Sequence, residues 1–307
     1  MPNWTDVQKE IQGVAAINSP LDVVRRKYLL TMHRYTERNV IAYYSAFLQK
    51  SHASASIDDN DINAFMQTVY GLDKSKGLDL LLHTPGGNLA ATESIVTYLK
   101  SIFGNDIRVF VPQIAMSAGT MIALAAKEIV MGKQSNIGPI DPQFGGMSCA
   151  GVIEEFNTAL TTIRANPATA PAWQPIIAKY HPTFLGDCQK AIDWSNNIAQ
   201  QWLASNMLSG KNDPAGDAKK IVDKIGSHKE TYTHSKHIHI AECQALGIVV
   251  TPLEELDKKQ IDGCKDLQDC VLTIHHTYMH TFSNSTAVKI VENHTGNAMV
   301  FHLPQRS

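Results

Sequence analysis

The chain has 307 residues, of which 44% are hydrophobic and 18% are charged, and its formal net charge is -2. A chain of this length and hydrophobicity can bury a large core, which predicts one large globular domain or two smaller ones. The balanced charge excludes the strongly basic composition typical of nucleic-acid-binding proteins, so no nucleic-acid partner is expected.

Cysteine usage and the N-terminal sequence point to a reducing compartment. An odd number of cysteines in a long chain argues against a disulfide framework. The N-terminus lacks the charged and then apolar pattern of a signal peptide, and no stretch approaches the roughly 18 apolar residues of a membrane span. We therefore expect a cytoplasmic protein, and nothing indicates membrane association. The five cysteines are Cys149, Cys188, Cys243, Cys264 and Cys270.

The first part of the chain alternates between helical and strand patterns. Ser19 and Pro20 supply a cap and a first-position proline for a helix that runs to about Glu37, and Ser56 opens another helix. Strands are predicted at 39–44, 78–82, 107–111 and 128–131, with further helices at 89–103 and 118–127. Because short apolar strands alternate with helices, the pattern predicts a parallel sheet covered on both faces.

The second part of the chain is more helical. The pattern weakens between residues 147 and 172, where prolines interrupt it. Helices are then predicted at 185–208, 217–225, 240–246 and 267–282, with a strand at 247–250. Two last strands, 288–291 and 298–301, flank a turn that contains Gly296 and predict a terminal hairpin.

Two of the junctions between strand and helix carry small residues. The first is His83-Thr84-Pro85-Gly86-Gly87, and the second is Ala115-Met116-Ser117-Ala118-Gly119-Thr120. Glycine lets backbone N–H groups turn inward, and a serine before a helix lies at the positive helix end. Taken alone, the first motif also fits a plain loop, and Ser117 also fits a helix N-cap. Together the motifs are typical of an acyl-transfer site with a nucleophile and an oxyanion hole.

With Gly138-Pro139-Ile140-Asp141-Pro142-Gln143, these motifs resemble those of the Clp-protease and crotonase superfamily. Within it the chain resembles the signal peptide peptidase A group and, most closely, the serine dehydrogenase proteinase family. The resemblance implies an α/β fold: a spiral of repeated strand-strand-helix units with a C-terminal helical extension and hairpin. It divides the chain into an N-terminal helical segment (1–38), a catalytic domain (39–252) and a C-terminal helix and hairpin (253–307), packed on the core or used in assembly.

The same resemblance implies a serine endopeptidase that cleaves a peptide or protein substrate without a cofactor or metal. By position, Ser117 is the nucleophile, and the N–H groups of Gly87 and Ala118 form the oxyanion hole. Because relatives form rings, we expect a homo-oligomer. The supporting candidates are Gly86, Asp141 and His181.

The sequence leaves the general base open. Clp-type proteases place a histidine a few turns after the serine's helix, where this chain has Ile140-Asp141-Pro142-Gln143. Signal peptide peptidase A relatives instead use a later lysine, which must lose its proton through burial. Lys179, with its apolar neighbours, is the predicted base of a Ser–Lys dyad, although an ordinary surface role stays open. Lys190 is the second choice, and His181 is a further candidate.

Three other interpretations remain. A crotonase-like acyl-CoA enzyme would use the same N–H groups without a serine nucleophile, and a silent scaffold would keep only the fold. A zinc site is disfavoured because the histidine-rich segment lacks two well-spaced ligand pairs. That segment contains His228, His234, His237, His239 and Cys243.

Overall fold

The structure of the protein is a computed structural model that describes residues 4–14, 19–256, 258–260 and 263–303. The strands are β1 (Asn39–Ser45), β2 (Leu78–His83), β3 (Ile107–Val111), β4 (Ile114–Ala115), β5 (Glu128–Met131), β6 (Asn136–Ile137), β7 (Gln143–Phe144), β8 (Met147–Ser148), β9 (Val250–Pro252), β10 (Ala287–Asn293) and β11 (Ala298–His302). The helices are α1 (Trp4–Gly13), α2 (Pro20–Thr36), α3 (Asp61–Val69), α4 (Leu89–Phe103), α5 (Ala118–Leu124), α6 (Cys149–Ala165), α7 (Ala170–Ile177), α8 (Phe184–Ser205), α9 (Pro214–Ile225), α10 (His228–Thr231), α11 (Ile240–Leu246) and α12 (Leu267–Ser283). Within the described residues, no helix combines the length and apolarity needed to cross a membrane.

Seven strands form the central sheet in the order β11-β10-β1-β2-β3-β5-β9. The strands β1, β2, β3, β5 and β9 run parallel, whereas β10 runs antiparallel to both β1 and β11. The predicted parallel strands and the terminal hairpin are therefore confirmed. The hairpin continues the same sheet, because β10 pairs directly with β1.

Hydrophobic side chains pack against both faces of this sheet. Ile41 and Tyr43 of β1 belong to one large cluster, which includes residues of α3, α4 and α5. The alternating residues Val40, Ala42 and Tyr44 belong to a second cluster with residues of α2 and α12. Successive strand residues point to opposite faces, so the N-terminal and C-terminal helices share a core with the central strands.

Two ion pairs tie β10 to helices on either side of the sheet. The Nε atom of Arg25 in α2 lies 2.5 Å from Oε2 of Glu292, and both side chains are buried. The Nζ atom of Lys289 lies 2.7 Å from Oδ1 of Asp61 in α3, and these side chains are also buried. Each ion is thus compensated by an opposite charge inside the fold, which a buried charge requires.

The structure corrects three local predictions. Ser19 makes no side-chain cap hydrogen bond to α2. The helix expected from Ser56 begins only at Asp61, because Ile57 is held as an extended bridge beside Gly87. The strand expected at 247–250 begins at Val250, since the αL residue Gly247 ends α11 first.

Candidate active site

The two small-residue junctions meet at the end of β2. The N–H of Thr84 donates to Ile114 O at 3.1 Å, and the N–H of Met116 donates to Thr84 O at 3.0 Å. This parallel bridge between Thr84 and Ala115 lies immediately before the Gly86–Gly87 loop and Ser117. Two segments separated in sequence are thereby held side by side.

Ser117 lies in a sharp turn with a φ of 53° and a ψ of -118°. These are the angles of the first central residue of a type II′ turn, a position where glycine predominates. The turn is closed by the Gly119 N–H, which donates to Met116 O at 2.7 Å. The Ser117 side chain makes no cap hydrogen bond to α5, so its hydroxyl does not serve as the helix cap considered from the sequence.

The positive φ of Ser117 lowers the free energy of unfolding by a measurable amount. We expect Ser117→Gly to be more stable to unfolding than Ser117→Ala by about 1 kcal/mol, because glycine adopts a positive φ without the Cβ penalty. Both variants lack the hydroxyl, so their difference isolates the backbone conformation. Urea unfolding of the two variants measures it, and a higher midpoint for the alanine variant would contradict the expectation.

The loop after β2 directs the Gly87 N–H away from its neighbouring segment. The Ile57 N–H donates to Gly86 O at 2.8 Å, and the Asn88 N–H donates to Ile57 O at 2.9 Å. In a parallel bridge of this kind, the N–H of the residue in between points to the opposite side. Among the described residues, none accepts a hydrogen bond from Gly87 N–H. A side chain at position 87 would collide with the Ile57 backbone.

A second backbone donor lies beside Ser117. Ala118 is the first residue of α5, where N–H groups have no acceptor within the helix. Its N–H also finds no acceptor elsewhere in the described chain. Gly86 permits the close approach of the two segments: a Cβ there would lie 2.7 Å from Ser117 Cβ and 2.9 Å from Ala118 N.

Ser117, Gly87 and Ala118 line one cavity of about 790 Å³. A cavity of this size lies within the range of small-molecule sites. Its walls include the aromatic side chains of Phe144 and Trp194, which are 39% and 42% exposed. A separate cavity of about 680 Å³ between α6, α8 and α9 contains none of the site residues predicted from the sequence.

The lysine and histidine candidates for the general base differ in whether they line the Ser117 cavity. Lys179 and His181 are exposed, and neither lines the Ser117 cavity. The His181 Nδ1 atom instead lies 3.1 Å from Thr183 Oγ1, at the start of α8. Lys190 lines the cavity, but its side chain is 82% exposed and its Nζ lies 3.4 Å from Asp187 Oδ1.

Asp141 is buried and contacts a histidine that sequence reasoning considered only as a zinc ligand. The Nδ1 atom of His234 lies 2.8 Å from Asp141 Oδ1, and the Nδ1 atom of His228 lies 3.8 Å from Oδ2. His234 lines the Ser117 cavity, whereas His228 does not. No local sequence signal could have found this pair, because 93 positions separate its members. In the described part of the chain, no group of three or more His, Cys, Asp or Glu residues could hold a metal.

Burial keeps other reactive side chains near the site uncharged. It lowers the pKa of His83, the last residue of β2, to about 3, so this ring stays neutral near pH 7. Burial, together with a contact from Cys188, raises the pKa of the Cys149 thiol to about 12. A thiol must ionise to act as a nucleophile, so Cys149 does not compete with Ser117.

Comparisons with known proteins identify a family and relatives to which this chain is similar. A model of a family described as ClpP-like SDH-type serine proteinase matches residues 25–256. Two uncharacterized proteins of Methanocaldococcus jannaschii, MJ0137 and MJ1495, are 38% and 44% identical over 192 and 173 residues. The putative protease MJ0651 of the same organism is 25% identical over 199 residues. These alignments cover 62%, 56% and 60% of this chain, and 59%, 51% and 62% of the relatives. The chain therefore spans between about half and three fifths of the relatives' lengths.

Proposed function

The chain belongs to the ClpP-like SDH-type serine proteinase family, and from this premise we propose that it is a serine endopeptidase with Ser117 as its nucleophile. The observation that carries the proposal is the coincidence of three features in one cavity. Ser117 is held in a strained turn, its hydroxyl makes no helix-cap bond, and two backbone N–H donors beside it have no described acceptor.

The family implies the Clp-protease fold, and the sheet with helices on both faces is consistent with it. The finer description, a spiral of repeated strand-strand-helix units, stays a prediction. The homo-oligomer expected from the sequence also stays part of the proposal. Strand β11, which forms one outer edge of the sheet, offers backbone groups with which a second copy could pair.

In the proposed reaction, Ser117 Oγ attacks the carbonyl carbon of a peptide bond. The N–H groups of Gly87 and Ala118 donate hydrogen bonds to the oxyanion, and the positive end of α5 adds to its stabilisation. The general base of the site takes the Ser117 hydroxyl proton and passes it to the leaving nitrogen as the C–N bond breaks. This step releases the amine and leaves an acyl-enzyme, which water then hydrolyses to return the proton to Ser117 Oγ. Loss of one such donor typically costs about 100- to 1000-fold in rate.

The cavity walls support a peptide or protein substrate with apolar side chains. Leu89, Met121, Phe144 and Trp194 all line the cavity. Exposed aromatic side chains at a cavity supply large apolar contact area to a ligand. We propose that the substrate enters as an unfolded segment, because an extended backbone can enter a cavity of this size and contact Ser117 on its wall.

The Ser–Lys dyad predicted from the sequence depends on the surroundings of its lysine. A lysine that accepts the serine proton must be held neutral, which requires burial or a neighbouring positive charge. Lys179 is exposed outside the cavity, and Lys190 is exposed and lies beside the carboxylate of Asp187. Neither lysine is therefore buried beside Ser117 as the dyad requires.

Labelling with a fluorophosphonate probe tests the proposed function. We expect the wild-type protein to be labelled, the modified peptide to map to Ser117, and Ser117→Ala to remain unlabelled. A wild-type protein that is never labelled would contradict the peptidase assignment, and labelling of Ser117→Ala would identify another nucleophile. Turnover of an acyl-CoA thioester by Ser117→Ala would instead support the crotonase-like alternative.

A further inference from the structure

We propose that a cavity next to the Ser117 cavity binds a second apolar side chain of the substrate and that Tyr232 determines this specificity; the inference rests on the proposed function of Ser117. This adjoining cavity has a volume of about 540 Å³ and is lined by residues of the β7–β8 hairpin, α6 and the segment after α10. It shares Gln143, Gly146 and His234 with the Ser117 cavity. A peptide chain bound in one cavity can therefore continue into the other.

The β7–β8 hairpin presents an apolar side chain to each of the two cavities. Phe144 and Met147 are cross-strand partners in this hairpin. Phe144 lines the Ser117 cavity, whereas Met147 lines the adjoining cavity. Gly146, in the turn between them, borders both cavities, and a Cβ there would meet nothing within 4 Å. The space beside the turn is thus open where the cavities meet.

Exposed apolar side chains are concentrated around these two cavities. Met147, Ile176 and Tyr232 line the adjoining cavity and are 44%, 39% and 83% exposed. With Phe144 and Trp194, they make up five of the eleven large hydrophobic side chains that are exposed in the described part of the chain. Exposed apolar surface gathered in one place marks a binding groove. An apolar side chain is therefore the substrate group that we expect in the adjoining cavity.

The backbone of Tyr232 has a conformation that favours glycine. Tyr232 follows α10 with a φ of 63° and a ψ of -33°, and its N–H donates to His228 O at 2.8 Å. Glycine is the usual residue where a positive φ ends a helix. Ser19 and Glu37 also have a positive φ, but both lie in the left-handed helical region. Among the described non-glycine residues, only Ser117 and Tyr232 have a positive φ outside that region. Such strain clusters at active sites and ligand contacts.

The ring of Tyr232 contributes little to the fold itself. The preceding residue, Thr231, anchors the end of α10: its side chain is buried, and its hydroxyl donates to Ser227 O at 3.0 Å. The Tyr232 ring instead remains in solvent at the cavity wall. A tyrosine at this position therefore strains the backbone without adding to the core. Contact with a substrate, to which an aromatic ring offers a large apolar area, accounts for its presence.

Internally quenched peptides test this inference. Each peptide carries one leucine before the scissile bond, and a second leucine is moved one position at a time through an otherwise Gly- and Ser-containing sequence. We expect one or two positions of the second leucine to raise wild-type kcat/KM by about 5- to 30-fold over the peptide with one leucine. Glutamate at the same positions should give no gain, because Glu155, which also lines the adjoining cavity, carries the same charge.

Variants of Tyr232 assign this gain to the ring. In Tyr232→Ala the ratio of kcat/KM between the best two-leucine peptide and the one-leucine peptide should fall to about one, because the second leucine has lost its contact. Tyr232→Phe should keep the wild-type ratio, since the contact is apolar. Tyr70→Ala is the matched control and should also keep it: Tyr70 is 81% exposed but lines neither cavity.

Tyr232→Gly separates the effect of the ring from that of the backbone. It should lose the same ratio as Tyr232→Ala, yet unfold at a higher urea concentration than the alanine variant, because glycine adopts the positive φ without strain. This variant also replaces Tyr232→Ala in the peptide assay if the alanine protein does not fold. A glycine variant that keeps the wild-type ratio would contradict the role of the ring.

The outcomes separate this inference from the proposed function. If the fluorophosphonate probe labels Ser117 and the one-leucine peptide is cleaved, but no position of the second leucine raises wild-type kcat/KM by more than twofold, the adjoining cavity does not bind substrate and the peptidase proposal stands. An equal gain in the wild type and in Tyr232→Ala would remove the specificity role from Tyr232. Absence of any labelling at Ser117 would overturn the proposed function and this inference with it.

Discussion

Replacing Ser117 by alanine should lower kcat for peptide hydrolysis by about 10⁴- to 10⁶-fold, the range found when a serine peptidase loses its nucleophile. The physical reason is that both halves of the reaction pass through a bond to Ser117 Oγ. The donors at Gly87 and Ala118 belong to the backbone and survive the substitution. We therefore expect KM to change only a few fold and a slow residual rate to remain.

Steady-state kinetics on an unstructured fluorogenic peptide, with an unfolding midpoint for each protein, makes this measurement. The alanine side chain occupies the same turn, so Ser117→Ala should unfold close to the wild type. A kcat within tenfold of the wild type in a folded Ser117→Ala protein would show that the hydroxyl is not the nucleophile. An equal loss of kcat and of folded structure would instead assign Ser117 a structural role.

Replacing Glu292 by leucine should lower the free energy of unfolding by about 3–5 kcal/mol, the usual cost of breaking a buried ion pair from one side. Glu292 accepts from Arg25 Nε and from Arg26 Nε, the latter at 2.7 Å, and from the Tyr278 hydroxyl at 3.2 Å. Arg26 is partly exposed and can turn to water. Arg25 cannot, because its side chain is buried, and it would keep only the partly exposed carboxylate of Asp22 as a partner.

Asp22 provides a matched control, because it also pairs with Arg25 but is more exposed to solvent than Glu292. Asp22 Oδ1 lies 2.7 Å from Arg25 Nη2, but the Asp22 side chain is 37% exposed. Asp22→Asn should therefore cost no more than about 1 kcal/mol. The double variant Arg25→Met with Glu292→Leu should recover much of the loss, since no unpaired charge remains. Equal destabilisation by Asp22→Asn and Glu292→Leu in urea unfolding would refute this account.

The sequence was most informative where structure depends on local chemistry. The apolar runs of β2, β3 and β5 predict buried strands because both of their faces are covered. The helix expected from Ser56 was wrong because no local pattern reveals that Ile57 bonds to Gly86 and Asn88. Contacts between distant segments override local propensity at such points.

The candidate site, too, could be predicted where it depends on local sequence and could not where it depends on contacts between distant segments. Ser117, Gly87 and Ala118 are recognisable from short motifs because turn geometry and backbone donors depend on adjacent residues. The pairing of Asp141 with His234 depends on the tertiary fold and has no signature in either segment. At Lys179 the local sequence was misleading. Its apolar neighbours predict burial, yet Ile176 is 39% exposed and Lys179 is exposed as well.

The position of β10 has a consequence for synthesis. This strand lies between β1 and β11, although it follows β2, β3, β5 and β9 along the chain. Until residues 287–293 emerge, one edge of β1 has no partner within the chain. Pairings between such distant segments slow folding, and an open strand edge can pair with other chains. The nascent chain is therefore prone to aggregation in the interval between the synthesis of β1 and that of β10.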